Sequence, residues 1–186
     1  ITGFKAGDEI SVKTMWDLPK TLSLANYAKA FDQLAPYLWN SLQIVIPASI
    51  LSSILGSLNG YVLAKWKFKG ADTLFALILF GMFIPYQSVL IPLVQFMNNV
   101  GLYGGIPGLI LVHIIYGIPI TTLTFRNYYA SIPNELLEAA KIDGADFLKI
   151  YAKILLPISI PSFVVVLIWQ FTQAWNDFLF SVVLTQ

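Results

Sequence analysis

Glu138-Ala139-Ala140-Lys141-Ile142-Asp143-Gly144 is followed, nine residues on, by Ile154-Leu155-Leu156-Pro157. This stretch is polar and charged, and it lies between two long apolar runs. Ser131 and Pro133 suit a helix start just upstream. A serine hydroxyl can accept from an orphan backbone N–H, and a proline in the opening turn forfeits no hydrogen bond. Glu135 and Glu138 then fall near the positive end of that helix. Gly144 suits its end, because glycine enters the left-handed region without a Cβ clash. A second helix is expected over 145–156, with Phe147, Leu148, Tyr151, Ile154 and Leu155 at helical spacing and Pro157 closing it. A short helix with a glycine corner makes a protruding knob. Ala139 and Ala140 give it a profile small enough to enter a cleft, and Glu138 adds a charge that can pair with a basic residue of a partner. On physical grounds alone, a connecting hairpin lying on a membrane surface fits as well.

The flanking runs set the class. Of the 186 residues, 57% are hydrophobic and 11% are charged. Soluble domains carry about 25% charged residues, so much of this surface is built to face lipid. The net charge of +1 offers no basic field for nucleic acid. The lack of cysteine excludes disulfides and thiolate metal sites. The chain opens at Ile1 with no basic stretch before an apolar one, so no signal peptide is read. Gln186 follows an apolar run, Phe178 to Leu184, and the chain reads as truncated at both ends.

Four runs, 39–64, 72–97, 106–128 and 158–182, reach the roughly 20 residues a helix needs to cross a bilayer. Pro47, Pro85, Pro92, Pro119 and Pro161 interrupt them. Bundle interiors tolerate such breaks when neighbours satisfy the freed carbonyls. Gly56 and Gly60 stand at a spacing that permits close helix approach. Lys65, Lys67 and Lys69 lie between the first two runs, and Arg126, Lys141, Lys149 and Lys153 at or after the end of the third. The 98–105 link has no charge. Basic loops stay in the cytoplasm, which places 65–71 and 129–157 inside and 98–105 outside. By alternation residues 1–37 form a small extracytoplasmic segment, ahead of a transmembrane domain over 38–186. In that segment Ser23 is read as the cap of an amphipathic helix through Phe31, and Asn40 as the cap of the first span.

The knob resembles the EAA loop of binding-protein-dependent ABC import permeases, whose pattern is EAA, three residues, Gly, nine residues, Ile-x-Leu-Pro. Every fixed position and both gaps match. Asn40-Ser41, Ser131 to Leu136, Ile142 to Ala145 and Ala174 to Leu179 are similar to the carbohydrate branch, the maltose-type permease subunits. The resemblance covers nearly the whole chain. It implies an all-α polytopic membrane protein, a MetI-like helical bundle holding four of six spans, with a cytoplasmic coupling helix. It assigns ATPase coupling to Glu138, Ala139, Ala140, Asp143, Gly144 and Pro157. It further implies ABC ATPase subunits, a second permease subunit, an extracytoplasmic solute-binding protein, a sugar cargo, and multi-pass residence in the cell membrane of a prokaryote. Two alternatives stay open: an ABC permease for another solute such as a polyamine or peptide, and a secondary carrier or channel.

No phosphate-binding GxxxxGK[ST] loop occurs, so ATP hydrolysis is expected in another polypeptide. No metal-ligand spacing, nucleophile triad or cofactor motif is present, and enzyme chemistry is not expected. Gln170, Gln173 and Asp177 repeat at i, i+3 and i+7 and share one helix face, with Asn176 beside them. Such a stripe avoids lipid; it lines a substrate path or a seam with a second permease. Gln87 adjoins an expected kink around Phe83, Pro85 and Tyr86, where broken helices often border a path. Trp169 and Trp175 can stack on sugar rings or anchor at an interface. His113 is either a proton relay or a packed neutral histidine, and no acidic partner lies in its own span.

Overall fold

The computed structural model describes residues 2–66 and 68–185; Lys67, one of the lysines used to orient the chain, lies outside the described residues. Among the described residues every regular element is helical. The chain divides into two compact units, Ile1–Leu42 and Gln43–Gln186.

In the first unit, 3-10 turns at Thr2–Phe4 and Gly7–Glu9 precede the start of α1, Ala25–Lys65, whose residues from Gln43 onward belong to the second unit. Ser23 acts at the helix start as expected, its Oγ accepting from the Ala25 N–H at 3.2 Å. Phe4 packs on Tyr27, and the Asn26 amide donates to the Lys5 carbonyl at 2.7 Å. The helix does not stop near Phe31. It runs 41 residues, to Lys65. Asn40, read as a cap, therefore lies in the helix interior: a side-chain cap acts only where the upstream helix has ended.

In the second unit α2 (Ala71–Phe80) runs into a 3-10 turn, Gly81–Phe83, and α3 (Tyr86–Asn99) leaves it at 100°. The cause is local. Pro85 pushes the residue before it out of the helical region, and Ile84 and Pro85 are both extended, with ψ of 117° and 119°. Then follow α4 (Ile106–Ala130), α5 (Asn134–Ile142), α6 (Phe147–Ile150), a π-turn over Tyr151–Leu155, α7 (Leu156–Ile158), α8 (Ile160–Trp175) and α9 (Leu179–Leu184). The segment Phe147–Ile158 meets α8 at 77° around Ser159. The apolar run 158–182 is thus not one helix: it breaks at Asn176–Phe178. Asp177 offers its carboxylate to the amides of Phe180 and Ser181, at 3.5 and 3.3 Å, which starts a new helix instead of continuing the old one. Among the described residues two helices are long and apolar enough to cross a membrane, and up to four segments if each bent pair counts as one.

Two apolar clusters hold the second unit together. One, under the loop, joins Tyr61, Phe125, Tyr129, Leu137, Ile150, Leu155 and Val166. The other joins Met97, Leu109, Val112, Phe180 and Leu184. Between them α1 and α4 cross at close range. A Cβ on Gly56 would overlap Thr121, and one on Gly60 would sit 2.7 Å from the Arg126 nitrogen and the Phe125 Cβ. The small-residue spacing therefore places two backbones in near contact.

Candidate functional site

The loop is built as a corner on a fixed base. Leu137 and Ala140, three apart, turn inward and are buried against Tyr61, Tyr129 and Ile150. Ala140 is therefore not on the outer face where the sequence reading put it; it is the floor of the knob. Glu138, Ala139, Ile142, Asp143 and Gly144 face outward, Ile142 with 87% of its surface exposed. The corner is closed as expected of glycine. Gly144 has φ 77°, its N–H donates to Lys141 O at 3.0 Å, and the Ala145 N–H donates to Ala140 O at 2.9 Å. Ser131 does not open α5. Its backbone is helical and its hydroxyl donates back to Tyr128 O at 2.7 Å, so it closes α4, while Pro133 takes the cap position of α5. Asp146, unremarked in the sequence, caps α6 by accepting from the Lys149 N–H at 2.8 Å. Pro157 lies exposed in α7, and the turn itself falls at Ser159.

Polar ties fix this end of the second unit. The Lys65 ammonium donates to Ile132 O and to Asn134 Oδ1, joining the end of α1 to the start of α5. Arg126 pairs with Asp72 at 3.0 Å and lies 4.0 Å over the Phe75 ring, joining α4 to α2. Lys141 approaches the Trp66 ring. The lysine-bearing segments thus gather at one end. The uncharged 98–105 link lies at the other, where the Gly104 N–H donates to Leu184 O at 2.8 Å.

A cavity of about 1130 Å³ opens between α1, the α2–α3 bend, α4, α8 and α9. Gln170, Gln173, Asn176, Asp177, Trp169 and His113 line it. Gln87, next to the lining residue Tyr86 on α3, is exposed and is not among the lining residues. The other polar groups differ in what they are free to do. Gln170 is buried and its amide donates to Ser52 Oγ at 3.0 Å, which ties α8 to α1. Asp177 caps α9 and stands 3.6 Å from His113 Nε2. The acidic partner missing from the histidine's own span is supplied by another, so packing and partnering go together. Asn176 donates to Thr172 O at 2.9 Å. Gln173 is exposed on the cavity wall. No cluster of metal-ligating side chains occurs among the described residues.

Residues 52–186 match the family described as binding-protein-dependent transport system inner membrane component. The chain belongs to this family. This inner membrane component is 59% identical over 128 residues to a probable ABC transporter permease protein of Pyrococcus horikoshii, covering 68% of the chain and 46% of that protein. It is 43% identical over 177 residues to the xylose/arabinose import permease protein of Haloferax volcanii, covering 86% of the chain and 57% of that protein. The chain thus spans about half the length of these curated relatives. A bacterial ABC transporter described as involved in the import of the acidic polysaccharide alginate superposes with a TM-score of 0.74 at 22% identity, over 100% of the chain and 65% of that one. That likeness establishes the fold: a helical bundle of the ABC importer permease type.

Sequence reasoning missed three features of the inner membrane component: the His113–Asp177 pair, the Ser52–Gln170 tie, and a linked set of hydroxyls on buried Ser57, Tyr129 and Ser159 and half-buried Tyr151. One signal was available. Ser49, Ser52, Ser53 and Ser57 recur at helical spacing on α1, and serines on one face inside a membrane imply polar partners there.

Proposed function

We propose that this chain is the membrane-spanning part of one permease subunit of an ATP-driven importer. The cargo is a sugar, handed over by an extracytoplasmic solute-binding protein and passed through a path shared with a second permease subunit. ATP is hydrolysed by separate ABC ATPase subunits that dock on the cytoplasmic loop 131–157. The observation that carries this reading is the outer face of the loop. Glu138, Ala139, Ile142, Asp143 and Gly144 stand exposed on a corner whose base is packed into the bundle core. An exposed apolar side chain flanked by carboxylates suits a partner groove with an apolar floor and a basic rim. The family membership and the xylose/arabinose relative support ATP-driven sugar import. Gln173 and Trp169 on the cavity wall supply an amide and an aromatic face of the kind that sugar hydroxyls and rings engage. Movement of the docked loop would switch the cavity between inward and outward access as a rigid-body change.

The test is Glu138→Lys in the assembled importer. The expected result is loss of ATPase subunits on affinity purification and loss of ATP-driven uptake, with membrane insertion retained. Parental uptake and parental ATPase recovery would overturn the docking reading.

A further inference from the structure

The hydroxyls of half-buried Tyr151 and of buried Ser57, Tyr129 and Ser159 form one directed chain beneath the loop. Tyr151 Oη donates to Ser57 Oγ at 3.0 Å. Ser57 Oγ and Tyr129 Oη lie 2.6 Å apart. Tyr129 Oη donates to Ser159 Oγ at 3.2 Å, and Ser159 Oγ to Leu156 O at 3.0 Å. Each hydroxyl has a single proton. With Tyr151 giving to Ser57 and Tyr129 giving to Ser159, the Ser57 proton goes to Tyr129. The order is therefore fixed from Tyr151 to the Leu156 carbonyl, and every member both finds an acceptor and is held in place.

The path is informative as well. It leaves the loop at Tyr151, the first residue of the π-turn, passes through α1 and α4, and returns at Ser159, the residue of the 77° bend before α8. The two ends of the segment 151–159 are thus stapled to the same pair of helices. Ser57, Tyr129 and Ser159 are fully buried. Around the chain the Tyr61 ring stacks on Tyr151 at 5.9 Å and on Phe147 at 4.7 Å. A π-turn and a sharp bend are the places where a helical segment yields most readily. Here both are cross-linked by polar bonds in a water-poor core, where a hydroxyl that loses its partner has no substitute.

We propose that the hydroxyl chain Tyr151–Ser57–Tyr129–Ser159 is the joint that transmits movement of the loop into α1, α4 and α8. The proposal rests on the docking reading above. A loop attached only through its two covalent ends could pivot at the π-turn and at Ser159 without moving the spans. The apolar base of the loop already packs on the bundle, and the hydroxyl chain adds directional ties at the π-turn and at Ser159, so that tilting the loop carries Ser57 and Tyr129 with it. These four are positioning residues; none lines the cavity.

The experiment uses the assembled importer, with nitroxide labels at Gln87 on α3 and Trp175 at the end of α8, both exposed positions. Pulsed dipolar distances are recorded without nucleotide and after trapping with ATP and vanadate. The parent complex is expected to gain a second distance population on trapping. Tyr151→Phe keeps the stacked ring and removes only the donor; Ser159→Ala removes the returning acceptor. Tyr151→Phe is expected to cut the second population about fivefold, the change that follows from loss of one hydrogen bond, and Ser159→Ala, which removes the acceptor of Tyr129 and the donor to Leu156 O, at least as much. Amounts of recovered complex should stay at the parental level. The double variant is expected to lose no more than Ser159→Ala alone, because both cut the same chain. Ser159→Thr, which keeps the hydroxyl, is expected to restore the population. A parental second population in both single variants overturns the joint and leaves docking standing. A parent with no second population also overturns the joint, and Glu138→Lys with parental uptake and parental ATPase recovery overturns docking and the joint with it. Tyr151→Phe decides the matter if Ser159→Ala fails to assemble.

Discussion

Gly144 shows how much one residue can settle. Its φ of 77° and the two hydrogen bonds that close α5 fix the direction in which the loop turns. A Cβ there meets no neighbour, so the penalty of substitution is conformational and not steric. Gly144→Asp and Gly144→Val should each destabilise the corner by about 1 kcal/mol, valine the more, while Gly144→Asn should be milder because asparagine tolerates the left-handed region. ATPase retention on purification should rank glycine, asparagine, aspartate, valine. Equal retention across the series would remove the corner from the docking account. Gln170 and Gln173 make a second contrast. They share a helix face, yet one is committed to Ser52 and the other faces the cavity. Gln173→Leu should lower uptake with complex recovery unchanged. Gln170→Leu should lower the amount of folded protein instead, because it leaves a buried serine without its donor. If both variants affect only uptake, the division of roles between them fails.

The elements depend on close approach and on breaks. At Gly60 a side chain would meet backbone of α4, which cannot move aside as a flexible side chain could. Gly60→Val should cost roughly 1–3 kcal/mol or more, read as a lowered unfolding temperature in detergent. An unchanged midpoint would mean that α1 and α4 do not hold this crossing in the membrane. The break at Asn176–Phe178 is held by the Asp177 carboxylate, which accepts from two amides of α9 and faces His113. Asp177→Ala should fray α9, seen as faster amide exchange over 179–184 with α8 unaffected. Exchange unchanged in that segment would show that the corner is set by packing of Phe180 alone. The α2–α3 bend has its cause in the chain itself: Pro85 and the extended residue before it would turn the backbone in any context.

For the whole molecule the topology is the central prediction. Single cysteines replacing Lys149 and Asn99 should react with an impermeant thiol reagent from opposite sides, the first from the cytoplasm and the second from outside. Reaction of position 149 from outside would invert the arrangement and remove the loop from reach of any cytoplasmic ATPase. The ends of α1 and α4 and the start of α5 are tied together by Lys65, and α2 joins α4 through Arg126 and Asp72, so the orientation of one fixes the others. What the sequence by itself determined is local or compositional. The scarcity of charge demanded a lipid-facing bundle, Gly144 demanded a left-handed corner, Pro85 demanded a bend, and the spacing around Glu138 identified the loop. Each of these follows from a few neighbouring residues and needs no knowledge of what packs where. The caps expected at Asn40 and Ser131 are not formed, Ala140 is buried in the base of the loop, and Gln87 is not among the residues lining the cavity, for related reasons. Whether a cap acts, or which face of a short helix turns inward, depends on where neighbouring segments end and what lies opposite. Only the tertiary structure could bring Asp177 to His113, Gln170 to Ser52, and Tyr151 through Ser57 and Tyr129 to Ser159. Those partners lie 64, 118, 94, 72 and 30 residues apart in the chain. A hydroxyl or carboxylate in a dry core takes whichever complementary group folding places within reach, and periodicity along one helix carries no record of that choice.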